Sequence, residues 1–179
     1  MPEPSALTTS SLTTAGFAPI FRALFQELTV GSPDPAARTF ILNQGDLGLF
    51  EALDCLSAEA ASVHERGPSV AGHVDHLRYG LSLLNGWARG EYPPWPEMDW
   101  TVSWRKLVVS PPEWLDLRRQ LRREAGDWMM ALTVPRAVSE VEAGWVVGSV
   151  AHLAYHMGAI RQIDRSARGP AAEDEVRHN

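Results

Sequence analysis

Apolar residues recur at helical spacing along this chain, and this feature does most to restrict its fold. After residue 140, five apolar residues lie on one face of a helix with about 3.6 residues per turn. Similar stripes occupy three earlier segments. The stripe residues are Phe17, Ile20, Phe21, Leu24 and Leu28, then Val70, Val74, Leu77, Leu81 and Leu84, then Leu117, Leu121, Ala125, Trp128 and Leu132, and last Val146, Val150, Leu153, Met157 and Ile160. Four long helices with apolar faces predict an all-α four-helix bundle.

Local signals place the ends of these helices. Ser69 precedes the second helix and Gly90 follows it, which fits an N-cap and a left-handed C-terminal stop. Ser110 and Glu113 form a capping box with prolines between them, so the third helix begins there and runs to about residue 132. The fourth is expected over residues 141–166. Residues 91–104 contain several prolines, which predicts a long crossover loop between the second and third helices, held by its tryptophans.

A single domain fits the length of 179 residues. Residues 1–14 are rich in Ser, Thr and Pro and are expected to form a flexible leader. The bundle is then expected over residues 15–168, with a short helix near residues 49–56, and a flexible tail over residues 169–179.

Composition excludes several classes of function. The net charge of −6 and the isoelectric point near 5.5 argue against nucleic-acid binding. Two arginine pairs, beginning at Arg118 and Arg122, are interpreted as a solvated helix face. Cys55 is the single cysteine, which we expect to be buried and inert. The chain shows no signal peptide and no apolar run of about 20 residues, which predicts a cytoplasmic protein without a membrane partner.

His152 and His156 carry the strongest functional signal. Residues four apart lie on the same face of a helix, so the two imidazoles can bind one metal ion from one side. Two ligands do not complete a metal site. The other histidine cluster, His73 and His76, lies on the second predicted helix. A third ligand from this cluster would join two helices through a metal.

Rotational position separates His73 from His76. His152 and His156 lie to one side of the apolar stripe on the last helix. His76 lies to the same rotational side of the stripe on the second helix. Such flanking sides meet when two helices pack antiparallel. His73 lies nearer the apolar stripe, and a purely physical argument could make it the ligand instead. From spacing alone, the ordinary interpretation is that flank histidines bond to a carbonyl or to water.

Two segments together resemble the DinB-like (DinB/YfiT) superfamily. These are SVAGHVDHL, which begins at Ser69, and HLAYHMGAIRQ, which begins at His152. The resemblance covers most of the chain. It departs from the family pattern at Pro68, where a tryptophan commonly stands, and at Ala159, where a glutamine is frequent.

The resemblance implies both a fold and a set of ligands. The family fold is a four-helix bundle with a long connection between the second and third helices. Its members hold a divalent transition metal, zinc or nickel, with one histidine from the second helix and an HxxxH pair from the fourth. These positions match His76, His152 and His156. His73 is then expected to line the pocket or to bond to backbone.

Relatives with known reactions suggest what the protein does. They include thiol-dependent transferases and a maleylpyruvate isomerase. We therefore expect a metal-dependent enzyme that uses a low-molecular-weight thiol, as an S-transferase or isomerase in stress defence, and acts on a small-molecule substrate. A homodimer is also expected. The alternatives are a non-catalytic metal-binding or small-molecule-binding bundle and a metal-dependent hydrolase. A hydrolase needs a carboxylate base, for which Asp75 and Glu142 are available. Tyr155 and Arg161 could contact substrate, or serve packing and an ion pair.

Overall fold

Helices dominate the computed structural model, which describes residues 12–32, 38–65, 67–91, 98–164 and 167. The predicted all-α class is confirmed for these residues. In chain order the helices are α1 (Ala18–Val30), α2 (Leu49–Asp54), α3 (Ala58–Ala61), α4 (Val70–Ala88), α5 (Pro111–Ala131) and α6 (Glu140–Ile163). Short 3₁₀ turns cover Thr14–Gly16 and Val102–Trp104. None of the described helices is both long enough and apolar enough to cross a membrane.

The long helices begin and end close to the predicted positions. The Ser69 hydroxyl caps α4 by accepting the backbone N–H of Gly72 at 3.1 Å, and Gly90 beyond its C-terminus has a φ of +78°. Glu113 completes the capping box of α5. A second capping box starts α6, where Ser139 pairs with Glu142. The first backbone N–H groups of any α-helix have no partner within the helix. A capping residue in the sequence therefore predicts where a helix begins.

The apolar stripes of α4, α5 and α6 form the core, as predicted. All fifteen stripe residues named for these three helices are buried. The helix α4 packs most extensively against α5 and also contacts α6, which packs against α1. The pairing of α4 with α6 places the two histidine-bearing helices side by side.

The stripe predicted for α1 is wrong in part. Ile20 is 61% exposed, whereas Phe25, which lies outside that stripe, is fully buried. The buried face also contains Glu27, whose carboxylate accepts the backbone N–H groups of Ile41 and Leu42 at 2.7 and 2.8 Å. Because Glu27 binds this loop, the face of α1 that carries Glu27 is directed toward residues 41 and 42. Apolar periodicity does not reveal such a contact.

The end of the expected leader is paired with the body of the protein. Strand β1 (Leu12–Thr13) pairs antiparallel with β2 (Ala137–Val138). The buried hydroxyl of Thr14 accepts the backbone N–H of Arg136 at 3.0 Å. A strand of two residues is too short to show the alternating pattern by which a sequence predicts strands, so this pairing was not predicted. Residues 1–11 of the leader and 168–179, which include the expected tail, lie outside the described residues.

Of two predictions near α2, the first is wrong and the second is wrong in part. Cys55 is exposed at the C-terminal end of this helix. Arg118 and Arg122 of α5 are not simply solvated, because both bind Asp54, at 2.7 and 2.6 Å. Arg122 also donates to the carbonyl of Phe50 at 3.1 Å. These arginines attach α2 to α5 at the helix end where unpaired carbonyl groups favour cations.

Candidate metal centre

The three predicted ligands converge between α4 and α6. The Nε2 atom of His152 lies 3.0 Å from Nε2 of His76 and 2.9 Å from Nε2 of His156. One ligand atom from each of the three residues lies within 4.8 Å of the others. His76 and His156 are buried, with 7% and 3% exposure, and His152 is half-buried. The helix sides that carry these histidines on α4 and α6 therefore face each other, as predicted for antiparallel packing.

The spacing of the three nitrogens fits a divalent cation. Zinc binds imidazole nitrogen at about 2.0–2.1 Å in tetrahedral geometry, which separates two such ligands by about 3.3 Å. The two separations from His152, 2.9 and 3.0 Å, are close to this value, and all three ligand atoms lie within 4.8 Å of one another. Direct hydrogen bonding cannot satisfy the cluster as well, because the single proton on Nε2 of His152 cannot serve two neighbours at once.

A serine sets the orientation of His76. The Ser103 hydroxyl donates to the carbonyl of Trp100 at 2.8 Å, so it accepts from Nδ1–H of His76, also at 2.8 Å. With the proton on Nδ1, the lone pair on Nε2 of His76 faces the cluster. Carbonyl and hydroxyl partners of this kind commonly orient histidine ligands in metal sites. No sequence motif singled out Ser103.

His73 contacts the far side of His156 rather than the centre of the cluster. Its Nδ1 atom lies 2.8 Å from Nδ1 of His156. If Nε2 of His156 presents a lone pair to a metal, its Nδ1–H donates to His73. The structure therefore places His76, not His73, in the three-histidine group. The partner of His73 is an imidazole, not the backbone carbonyl or pocket position that we expected.

Two tryptophans from the segment between α4 and α5 enclose the cluster. The Trp104 ring stacks on His76 with centroids 4.2 Å apart and planes 21° apart. It also meets His73 edge-on at 5.3 Å, and the Trp100 ring lies 5.5 Å from His76. The prediction that tryptophans hold this segment to the helices is confirmed for these two, while Trp95 lies outside the described residues. Their contact with the histidines was not predicted.

Burial keeps the histidines neutral. Burial, with the charge of neighbouring histidines as a second cause, lowers the pKa of His76 to about 4 and that of His156 to about 3. Burial also lowers the pKa of His152 and of His73. All four imidazoles are therefore neutral at neutral pH, and only a ring nitrogen without a proton can bind a metal. Protons compete with a metal only under acidic conditions.

A cavity of about 240 Å³ adjoins the cluster. His152 forms part of its wall together with Gly80 and Trp100, and the ring of Trp100 also contacts His76. A ligand in this cavity would therefore lie beside the three-histidine group. Open space beside the ligands is typical of catalytic metal sites, whereas structural sites are closed.

The other candidate residues have different partners. Asp75 pairs with Arg78 at 2.8 Å, and Arg161 pairs with the buried Asp46 at 2.9 Å. Arg161 therefore forms an ion pair, one of the two roles that the sequence allowed. Tyr155 is 71% exposed, and its ring lies edge-on to His156 at 5.0 Å.

The described residues define a helical protein with a candidate metal centre of three histidines. No family model, curated protein or solved structure matches the chain. Membership of the DinB-like superfamily therefore stays a prediction based on the two histidine segments.

Proposed function

We propose that the protein is a metal-dependent enzyme of the DinB-like type, with the four-helix bundle and long second-to-third crossover of that superfamily. The observation that carries this proposal is the convergence of three imidazole Nε2 atoms from α4 and α6. Three protein ligands leave a fourth position for water or substrate, which is typical of catalytic rather than structural zinc sites. Zinc and nickel both suit imidazole ligands.

Each residue of the site has a role in this proposal. His76, His152 and His156 hold the ion, while Ser103 and His73 orient two of these rings through their Nδ1 atoms. Trp104 covers His76 and limits the access of water from that side. A divalent ion held there would favour the deprotonated form of a thiol or a water molecule at its open position.

The resemblance to DinB-like proteins suggests a low-molecular-weight thiol as the co-substrate. The reaction would be S-transfer or isomerisation of a small molecule in stress defence. The cavity beside His152 supports a role in binding a small molecule, because it leaves room for one next to the ligand set. A site that only stabilised the fold would need no such space.

The hydrolase alternative has less support. Glu142 accepts the indole N–H of Trp87 at 3.0 Å and also caps the start of α6. Asp75 pairs with Arg78. The two carboxylates that the sequence made available for base catalysis are therefore engaged in structural contacts.

A thiol screen tests the proposed reaction. Protein loaded with zinc or nickel should consume an electrophilic substrate at a rate that depends on one of the common cellular thiols. His152→Ala should lose this activity by at least about a hundredfold, because a ligand of the ion is removed. His64→Ala is the matched control, since His64 is exposed and bonds only to a nearby carbonyl in the described structure. Full metal loading without turnover on any thiol would contradict the proposal.

The proposal includes a homodimer. Exposed apolar residues on α6, among them Val141 and Tyr155 with 66% and 71% exposure, offer surface for a second copy. Light scattering at micromolar concentration should give about twice the mass of the 19.7 kDa chain. A monomer under these conditions would remove this part of the proposal and leave the metal centre unaffected.

A further inference from the structure

The cavity beside His152 has a strongly apolar wall. It lies between α4 and α6, with Phe25 of α1 and Trp100 also in its wall. Leu81, Leu84 and Leu153 contribute aliphatic surface. None of the described residues that line it carries a charged side chain. A charged group would lose its hydration here without gaining a partner, so the cavity selects against it.

The Ser149 hydroxyl in the wall is already bonded to other groups of the protein. The Ser149 hydroxyl already donates to the carbonyl of Val146 at 2.7 Å and accepts the indole N–H of Trp128 at 3.1 Å. His152 is the polar residue that connects the cavity to the histidine cluster. An occupant should therefore be apolar along its length and polar only where it reaches this histidine.

Two glycines leave space on the α6 side of the cavity. Gly144 and Gly148 both line it, and a Cβ atom at either position would meet nothing within 4 Å. Packing therefore does not require glycine at these positions. The absence of a side chain at both positions leaves this wall of the cavity open.

We propose that the cavity binds an uncharged apolar group of the substrate, an aromatic ring or an aliphatic chain, whose polar end reaches the metal centre at His152. The inference rests on the proposed function, because it names the substrate class of the same site. The cavity volume of about 240 Å³ exceeds the roughly 150 Å³ of an apolar cavity that holds benzene. A phenyl-sized group therefore fits with space remaining.

Alkyl hydroxamates of increasing length test this inference on cobalt(II)-loaded protein. The hydroxamate binds the ion, and the cobalt absorption spectrum reports the dissociation constant. Each added methylene from acetohydroxamate to hexanohydroxamate should strengthen binding about fourfold, because it is removed from water. In Gly148→Leu the gain with chain length should disappear, because the leucine side chain fills the cavity.

Gly126→Leu is the control for this substitution. Gly126 lies in α5, does not line the cavity, and also has nothing within 4 Å of an added Cβ. Its chain-length dependence should equal that of the wild type. Equal affinity for all chain lengths in the wild type would overturn the inference while leaving the metal centre intact.

Neutral amides test the cavity without a metal. Hexanamide should bind metal-free protein more tightly than acetamide by calorimetry, and Gly148→Leu should remove the difference. If the protein takes up no metal but shows this preference, the cavity assignment stands and the proposed function fails. If the two amides bind metal-free protein equally, the apolar cavity does not select its ligand and the inference is wrong.

Discussion

His76→Ala should lose most of its bound transition metal, with an affinity at least about tenfold below that of the wild type, and His156→Ala should behave in the same way. Each change removes one of three imidazole nitrogens that converge between α4 and α6. His73→Ala should cost less, because His73 hydrogen-bonds to the ligand set only through the Nδ1 atom of His156. Loss of such an orienting partner typically weakens binding less than loss of a ligand. Elemental analysis and competition with a chromophoric chelator measure both effects.

Comparing the loss of bound metal in His76→Ala and His73→Ala distinguishes a ligand from its neighbour. His73 and His76 are equally buried, at 7% exposure each, so general destabilisation should affect the two variants similarly. His64→Ala controls for the loss of an exposed histidine. Greater loss of metal in His73→Ala than in His76→Ala would show that the wrong histidine has been assigned. Equal metal content in wild type and His156→Ala would remove the candidate centre altogether.

Gly48→Ala should lower the free energy of unfolding by about 3 kcal/mol, near the upper end of the usual range for overpacking. A Cβ atom on Gly48 would lie 2.3 Å from the backbone nitrogen of Gly31 and 2.3 Å from the carbonyl carbon of Val30. These are backbone atoms, which cannot rotate away as a side chain can. The φ of Gly48 is −66°, so the effect is steric contact and not backbone strain. Urea denaturation followed by circular dichroism measures it.

Gly126→Ala is the matched control in the same assay. An added Cβ there meets nothing within 4 Å, and the residue lies inside α5. Alanine should therefore stabilise the protein by about 0.5–1 kcal/mol through helix propensity. If Gly48→Ala were as stable as the wild type, the close crossing of the segments at residues 30–31 and 48 would not exist in solution.

The features that the sequence predicted are those whose physical cause lies within one helix. Capping at Ser69 and Ser110 depends on side chains within three residues of the first unpaired backbone N–H groups. The buried stripes of α4, α5 and α6 follow from a period that a single helix displays. The assignment of His76 to the ligand set used its rotational position on α4, which left His73 possible, together with the resemblance to the DinB-like segments.

Contacts between distant segments were decided by tertiary structure alone. Ser103 orients His76 from 27 residues away, and His73 reaches His156 across 83 residues. Neither contact has a spacing that could signal it along the chain. The burial of Glu27 depends on a loop that folds back over α1. Periodicity reports which face of a helix is apolar, but only packing determines which atoms of another segment meet that face. The sequence alone therefore determined the four long helices and, with the family resemblance, named the three candidate ligands, while the tertiary structure decided their orienting partners and the apolar cavity beside them.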